Sequence, residues 1–152
     1  MAPRWLTPEE MAAWRSFIET SGDLLRAIER DLVQYGLDLG DYQLLAMLSE
    51  APDGQLRLCD LADTLRLTRS GLTRRMDGVV SKKLVSRTQS EQDRRVTYAS
   101  MTAKGYETLR KVAPQHLETV RALMIDLLSP AEIKAIASAF SKISDNLAQR
   151  SS

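Results

Sequence analysis

The sequence predicts a mainly α chain with one small β-hairpin, and three observations point there. Apolar residues recur three and four positions apart through most of the chain, the spacing of one buried face of a helix. Helix-start signals stand at Thr7, Thr68, Thr102 and Ser129, where a side-chain oxygen can cap the first free backbone amides. Residues 84–89 and 96–101 are enriched in strand-forming residues, and the polar segment 90–95 between them suits a hairpin loop.

Thr7-Pro8-Glu9-Glu10 opens the first helix with a capping box and a proline at the first helical position. Met11, Trp14, Ile18, Leu25, Ile28 and Leu32 form its stripe, widened by Phe17 and Leu24, and Gly36 marks its end. A helix of nearly 30 residues in so short a chain cannot bury its length in its own core, so it is expected to pack on a second chain. A short second helix spans 41–51 and stops at Ala51-Pro52-Asp53-Gly54. The third spans 58–65, with Leu58, Leu61, Ala62 and Leu65 on one face and Cys59 expected to pack beside them.

Thr68 caps a fourth helix to about Lys83, directing Leu72, Met76, Val79 and Val80 inward. After the hairpin, Thr102 opens a fifth helix to Leu128 with Leu109, Val112, Leu117, Val120, Leu123, Met124 and Leu127 on its stripe. Pro114 should kink it, since proline lacks the N–H for one helical hydrogen bond. Ser129-Pro130-Ala131-Glu132 starts the last helix, whose stripe is Ile133, Ile136, Ala137, Phe140, Ile143 and Leu147. From Gln149 the tail is polar and expected to fray.

Composition narrows the function. Apolar residues are 43% and charged residues 27% of 152, ordinary for a soluble globular protein. No run of 18 apolar residues could span a bilayer, and 1–7 has no signal core. Cys59, the single cysteine, suits a reducing cytosol. These features imply a cytoplasmic protein. The net charge is +1, yet 57–95 holds ten Lys/Arg against five Asp/Glu, which leaves the rest of the chain net acidic. A basic middle between acidic flanks suggests a local polyanion-binding face.

Three short helices followed by a two-stranded hairpin make a winged helix-turn-helix pattern. Its second helix begins Thr68, Arg69, Ser70, with Thr73, Arg74 and Arg75 one turn on. An α-helix fits the major groove of B-DNA, where arginine can bridge guanine O6 and N7 and Ser or Thr can bond phosphates or bases. These six residues are therefore candidate contacts to double-stranded DNA.

The stretch Leu58-Cys-Asp-Leu-Ala-Asp-Thr-Leu-Arg-Leu-Thr-Arg-Ser-Gly-Leu-Thr-Arg-Arg-Met-Asp resembles the helix-turn-helix of MarR-type regulators. Leu84-Val85-Ser86-Arg87 resembles their first wing strand, and Asp93-Arg94-Arg95 matches the D-x-R signature of the wing. Met101-Thr102-Ala103-Lys104-Gly105 matches L-T-x-x-G with Met for Leu, and Gly40-Asp41-Tyr42-Gln43-Leu44-Leu45 fits the second helix. The resemblance is densest over 37–105. It implies a winged DNA-binding region at 37–101 and a helical dimerisation region at 1–36 and 102–152, intertwined as one domain. It also implies that Arg95 enters the minor groove, held by Asp93, with Arg94 available to phosphate. Lys83 stands where the family commonly has Gly, a departure at the end of the recognition helix; Lys82 and Lys83 there would favour the helix C-terminus and reach phosphate.

Family members often bind small aromatic effectors between the dimer helices and the DNA-binding lobe. The resemblance gives Trp14, Phe17, Tyr42 and Met47 as pocket candidates. Together these features imply a homodimeric transcription regulator, a repressor, on a pseudo-palindromic operator, released by a small effector. The alternative is a winged-helix module that holds protein partners and has lost DNA binding; Arg69, Arg74, Arg75 and Arg95 argue against it, since an apolar or acidic recognition face would then be expected. An enzyme is the weakest reading. His116 is the only histidine, so neither a nucleophile–His–carboxylate set nor a zinc cluster is available, and no cofactor is expected.

Overall fold

The computed structural model describes residues 3–150. Expectations that touch Met1, Ala2, Ser151 and Ser152 lie outside the described residues. Six helices and three strands follow in chain order: α1 (Pro8–Val33), α2 (Leu39–Glu50), β1 (Gln55–Arg57), α3 (Leu58–Leu65), α4 (Arg69–Ser81), β2 (Val85–Gln89), β3 (Thr97–Met101), α5 (Ala103–Leu123) and α6 (Pro130–Arg150). The mainly α class with a small β wing holds.

Helix starts follow the cap chemistry. The Thr7 hydroxyl accepts from the Glu10 amide while the Glu10 carboxylate accepts from the Thr7 amide, both halves of a capping box. Thr68 accepts from Gly71 N at 3.1 Å, and Thr102 from Gly105 N at 3.0 Å. Ser129 and Glu132 repeat the reciprocal pattern before α6.

The sheet has order β1-β3-β2, antiparallel throughout, with Leu56 opposite Ala99 and Arg87 opposite Ala99 on the other side. The sequence predicts only the hairpin. β1 escapes because three residues are too few to display an alternation, and its pairing partner lies more than 40 residues away.

The end of α4 bears on the site. Lys83 adopts φ +61°, its amide donates to Val80 O at 2.9 Å, and Leu84 N donates to Val79 O at 3.0 Å. That pair of bonds is a Schellman ending, which normally takes Gly at the left-handed position. The helix thus ends as a glycine would end it, with lysine carrying the strain. Thr102 Oγ1 then donates within 2.7 Å of Lys83 O and 3.0 Å of Leu84 O, and Lys104 Nζ donates to Lys82 O at 2.9 Å. The start of α5 therefore serves the carbonyls left open at the end of α4.

Two compact units divide the chain, 1–116 and 117–152. The first holds the core: Leu32 and Leu37, then Leu44, Leu45 and Leu48 of α2, Leu61 of α3, Leu72, Met76 and Val79 of α4, Leu84, Val85, Ala99 and Val112. Each fully buried leucine stabilises by roughly 1.5–3 kcal/mol. In the second unit the helical path stops at Leu123, and Ile125–Leu127 is a 3-10 turn, so α5 is shorter than the predicted run to Leu128. Met124 interrupts the helix with φ −139° and ψ −63°. Pro114 lies inside α5, and the helix continues through it from Ala103 to Leu123. α6 reaches Arg150, so Gln149 lies within the helix. Phe140, Ile143 and Leu147 on α6 remain about half exposed. No helix among the described residues is long and apolar enough to cross a membrane.

Candidate nucleic-acid interface

α4 has two faces of opposite character. Leu72, Met76 and Val79 bury one face in the core. The other displays Arg69, Ser70, Thr73 and Arg74, all exposed. Five predicted contacts, Thr68, Arg69, Ser70, Thr73 and Arg74, line one surface concavity at the helix start. The short side chains there are held locally: Thr73 Oγ1 donates to Arg69 O at 3.0 Å, and the Thr68 and Ser70 hydroxyls stand 3.3 Å apart. Arg69 and Arg74 form no ion pair among the described residues, so both guanidiniums are available to an anion.

Arg75 departs from the expected pattern. Its guanidinium turns back to α2, donating to Asp41 Oδ1 at 2.7 Å and to Asp38 Oδ1. The side chain is only 25% exposed. One step along the helix from Arg74, it flanks the inward stripe, where two carboxylates wait. Its hydrogen bond to Asp38 raises its pKa, burial opposing and Asp41 adding to the rise. Burial alone would raise the Asp38 pKa, but the Arg75 and Asp41 N–H donors with the charges of Arg75 and Lys82 outweigh it, and the net direction is down. Lys82, expected to reach phosphate, also points here, its Nζ 2.6 Å from Asp41 Oδ2.

The wing is ordered by its own side chains. Ser90 Oγ accepts from the amides of Gln92 and Asp93, and Gln89 Nε2 donates to Arg94 O at 3.2 Å. Asp93 accepts from the Arg95 amide at 3.0 Å and from its Nε and Nη2 at 3.1 and 3.3 Å. Those bonds hold the Asp93 pKa below the usual carboxylate range. Arg95 is nevertheless 91% exposed, and Arg94 is exposed beside it. The carboxylate thus aims a cation outward without hiding it.

Two cations beyond the predicted set shape this surface. Arg87 on β2 donates to Asp77 Oδ1 of α4 at 2.6 Å, tying wing to helix. Arg57, just before α3, lines a second cleft of about 640 Å³ with Arg69 and Arg95. Arg57 was visible only as part of the basic segment, and nothing in the spacing of Asp77 and Arg87 announces their contact.

The four effector candidates fall in two places among the described residues. Tyr42 and Met47 line a concavity of about 460 Å³ between α2 and α3, with Gln43, Glu50, Thr64 and Arg66. Trp14 and Phe17 lie on α1, about half exposed, their rings 6.2 Å apart, and neither belongs to that lining. The Tyr42 ring also meets His116, centroids 4.0 Å apart. His116 is buried, and its Nδ1 has no hydrogen-bond partner among the described residues. Burial lowers the His116 pKa, against the opposing charge of Asp31.

Cys59 corrects the packing expectation. It is exposed, its thiol 3.6 Å from Asp60 Oδ1. On so short a helix Leu61, flanked by Leu58, Ala62 and Leu65, fills the inward face, and Cys59 falls on the other side.

The sequence profile of the MarR family matches residues 35–96, from the end of α1 to the wing tip. AbsC of Streptomyces coelicolor, a MarR family transcriptional regulator, is 37% identical to this chain, over 97% of it and 99% of AbsC, with a TM-score of 0.93. The chain belongs to the MarR family. This MarR-family chain is also similar to Sco3205 of the same organism, solved in complex with DNA, at 35% identity over 96% and 92% of the two chains and a TM-score of 0.92. The transcriptional repressor YetL of Bacillus subtilis is 27% identical over 109 residues, a stretch covering 72% of this chain and 65% of YetL. The MarR-family assignment makes the chain a winged helix transcription regulator.

Proposed function

We propose that this MarR-family chain is a homodimeric repressor that reads a pseudo-palindromic operator in double-stranded DNA, in the cytoplasm and without catalysis. One observation carries the reading. α4 presents Arg69, Ser70, Thr73 and Arg74 on a face that folding does not use, while the wing holds Arg95 outward on Asp93. A helix in the major groove and an arginine in the adjacent minor groove would read one half-site together. Repression as the sign of regulation follows YetL.

The helical region at 1–36 and 102–152 supplies the dimer contacts in this reading. Trp14, Phe17, Ile18 and Leu25 on α1, and Phe140, Ile143 and Leu147 on α6, are 44–53% exposed in the single chain, an apolar load that a second copy would cover. A sedimentation mass near 17.0 kDa at micromolar protein would rule the dimer out. An aromatic effector, in the same reading, meets Tyr42 and Met47; Trp14 and Phe17 belong with the apolar surface of α1.

Selection from a random duplex pool, followed by titration at two salt concentrations, tests the whole. An inverted repeat with half-site centres about 34–36 Å apart, bound more weakly as salt rises, is the expected result. Salt-dependent binding without an enriched sequence would leave a non-specific binder. No binding at low salt would favour a protein-interaction module.

A further inference from the structure

We infer that Asp41 is the positioning residue of the recognition helix, and that Arg75 and Lys82 serve it rather than DNA. The inference rests on the DNA-reading role of α4. Asp41 is 3% exposed, and its two carboxylate oxygens are taken by two cations of the same helix, Oδ1 by Arg75 and Oδ2 by Lys82, at 2.7 and 2.6 Å. The Asp41 backbone is fixed as well, its amide donating to Asp38 Oδ1 at 2.7 Å, and Asp38 in turn accepts from Arg75.

Arg75 and Lys82 are seven residues apart, two helical turns or about 10 Å along the axis. Two side chains from one side of α4, two turns apart, converge on a single buried carboxylate of α2. Turning α4 about its own axis would carry both cations sideways off Asp41, so the pair of bonds resists that rotation. A swivel of about 10° would move a guanidinium about 6 Å from that axis by roughly 1 Å, enough to spoil a paired hydrogen bond to a base edge. Gly40 completes the seat: a Cβ there would stand 2.6 Å from Arg75 Cζ, so the guanidinium lies against bare backbone.

Stability is a poor reason for such a cluster. Desolvating charges offsets most of their attraction, and buried ion pairs are often replaced by apolar groups without loss. Orientation is what the two-point attachment adds.

The test uses the full-length protein, its selected operator and a random-sequence duplex, well below the melting transition. Asp41→Asn should lose about tenfold or more in operator affinity, with binding to the random duplex and the salt slope unchanged. Arg75→Gln should match it, and Arg75→Lys, which keeps a donor for Asp41, should recover part of the loss. Hydrogen exchange of the free protein should rise across 69–81 in Asp41→Asn. Unchanged operator affinity in Asp41→Asn, or equal losses on both duplexes, overturns the inference. So does a salt slope reduced by about 0.9 in Arg75→Gln, which would mark a phosphate contact. If the parent enriches no sequence, the DNA reading fails by itself, and exchange confined to α4 still decides whether Asp41 holds the helix.

Discussion

Asp93 holds Arg95 through three N–H donors of the same residue, the amide at 3.0 Å and two guanidinium nitrogens at 3.1 and 3.3 Å, and still leaves the side chain in solvent. A pair so exposed adds little to folding, because solvent screens it. Its value lies in direction, since an arginine that enters a narrow groove loses less freedom when already aimed.

Arg95→Ala should therefore cost about 1–3 kcal/mol in operator binding and leave the melting temperature nearly unmoved. Asp93→Ala should lose a smaller part of the same affinity. Fluorescence anisotropy titration together with a thermal melt checks both, and an Arg95→Ala protein that binds like the parent would remove the wing from the interface.

Arg74 stands on the free face of α4, and Arg75, its neighbour, is committed to Asp38 and Asp41. Arg74→Ala should relax base preference at one or two operator positions, seen by repeating the random-pool selection with the variant. Stability should stay within about 0.5 kcal/mol of the parent, as for other surface changes. A variant with an unaltered selected motif and unaltered affinity would show that Arg74 does not touch DNA.

Lys83 occupies a left-handed position at φ +61°. A residue with a Cβ costs roughly 1–2 kcal/mol there, and glycine does not. Lys83→Gly should thus stabilise the fold by about 1 kcal/mol, reduced somewhat because glycine also gains freedom when unfolded. Chemical denaturation measures this directly. A destabilised variant would mean that the lysine side chain supplies something its exposed position does not reveal.

His116 should make stability depend on pH. Its pKa is lowered in the fold, burial being the main cause, and the unfolded chain takes up a proton near pH 6.5. Below that pH the unfolded state binds more protons than the native state. The stability is complete above about pH 6.5 and is lost as the pH falls through the depressed native value. Melting temperatures from pH 7.5 to pH 5.5 should fall in the parent and fall less in His116→Phe. Parallel curves would assign the acid sensitivity elsewhere.

Much of this molecule was legible because its signals are local. Thr7, Thr68, Thr102 and Ser129 cap helices through atoms three residues away, and Leu72, Met76 and Val79 mark the buried face of α4 by spacing alone. What sequence reasoning missed is non-local. The inward turn of Arg75 depends on carboxylates 34 and 37 residues earlier, and β1 exists only because β3 offers it an edge. Cys59 is a different kind of miss. It neighbours Leu58 in sequence, but the helical spacing of Leu58, Leu61, Ala62 and Leu65 puts it off the apolar face.

The two faces of α4 have a consequence for change over time. Arg69, Ser70, Thr73 and Arg74 contribute no residue to the core, and the side-chain bonds recorded for Ser70 and Thr73 stay within one turn. Those four positions can vary without disturbing the folded state, while Asp41, Arg75 and Lys82 keep the helix in place. In the proposed reading the chain separates an alphabet it can rewrite from the frame that holds the page, and a library confined to those four positions should then yield proteins that select a different operator.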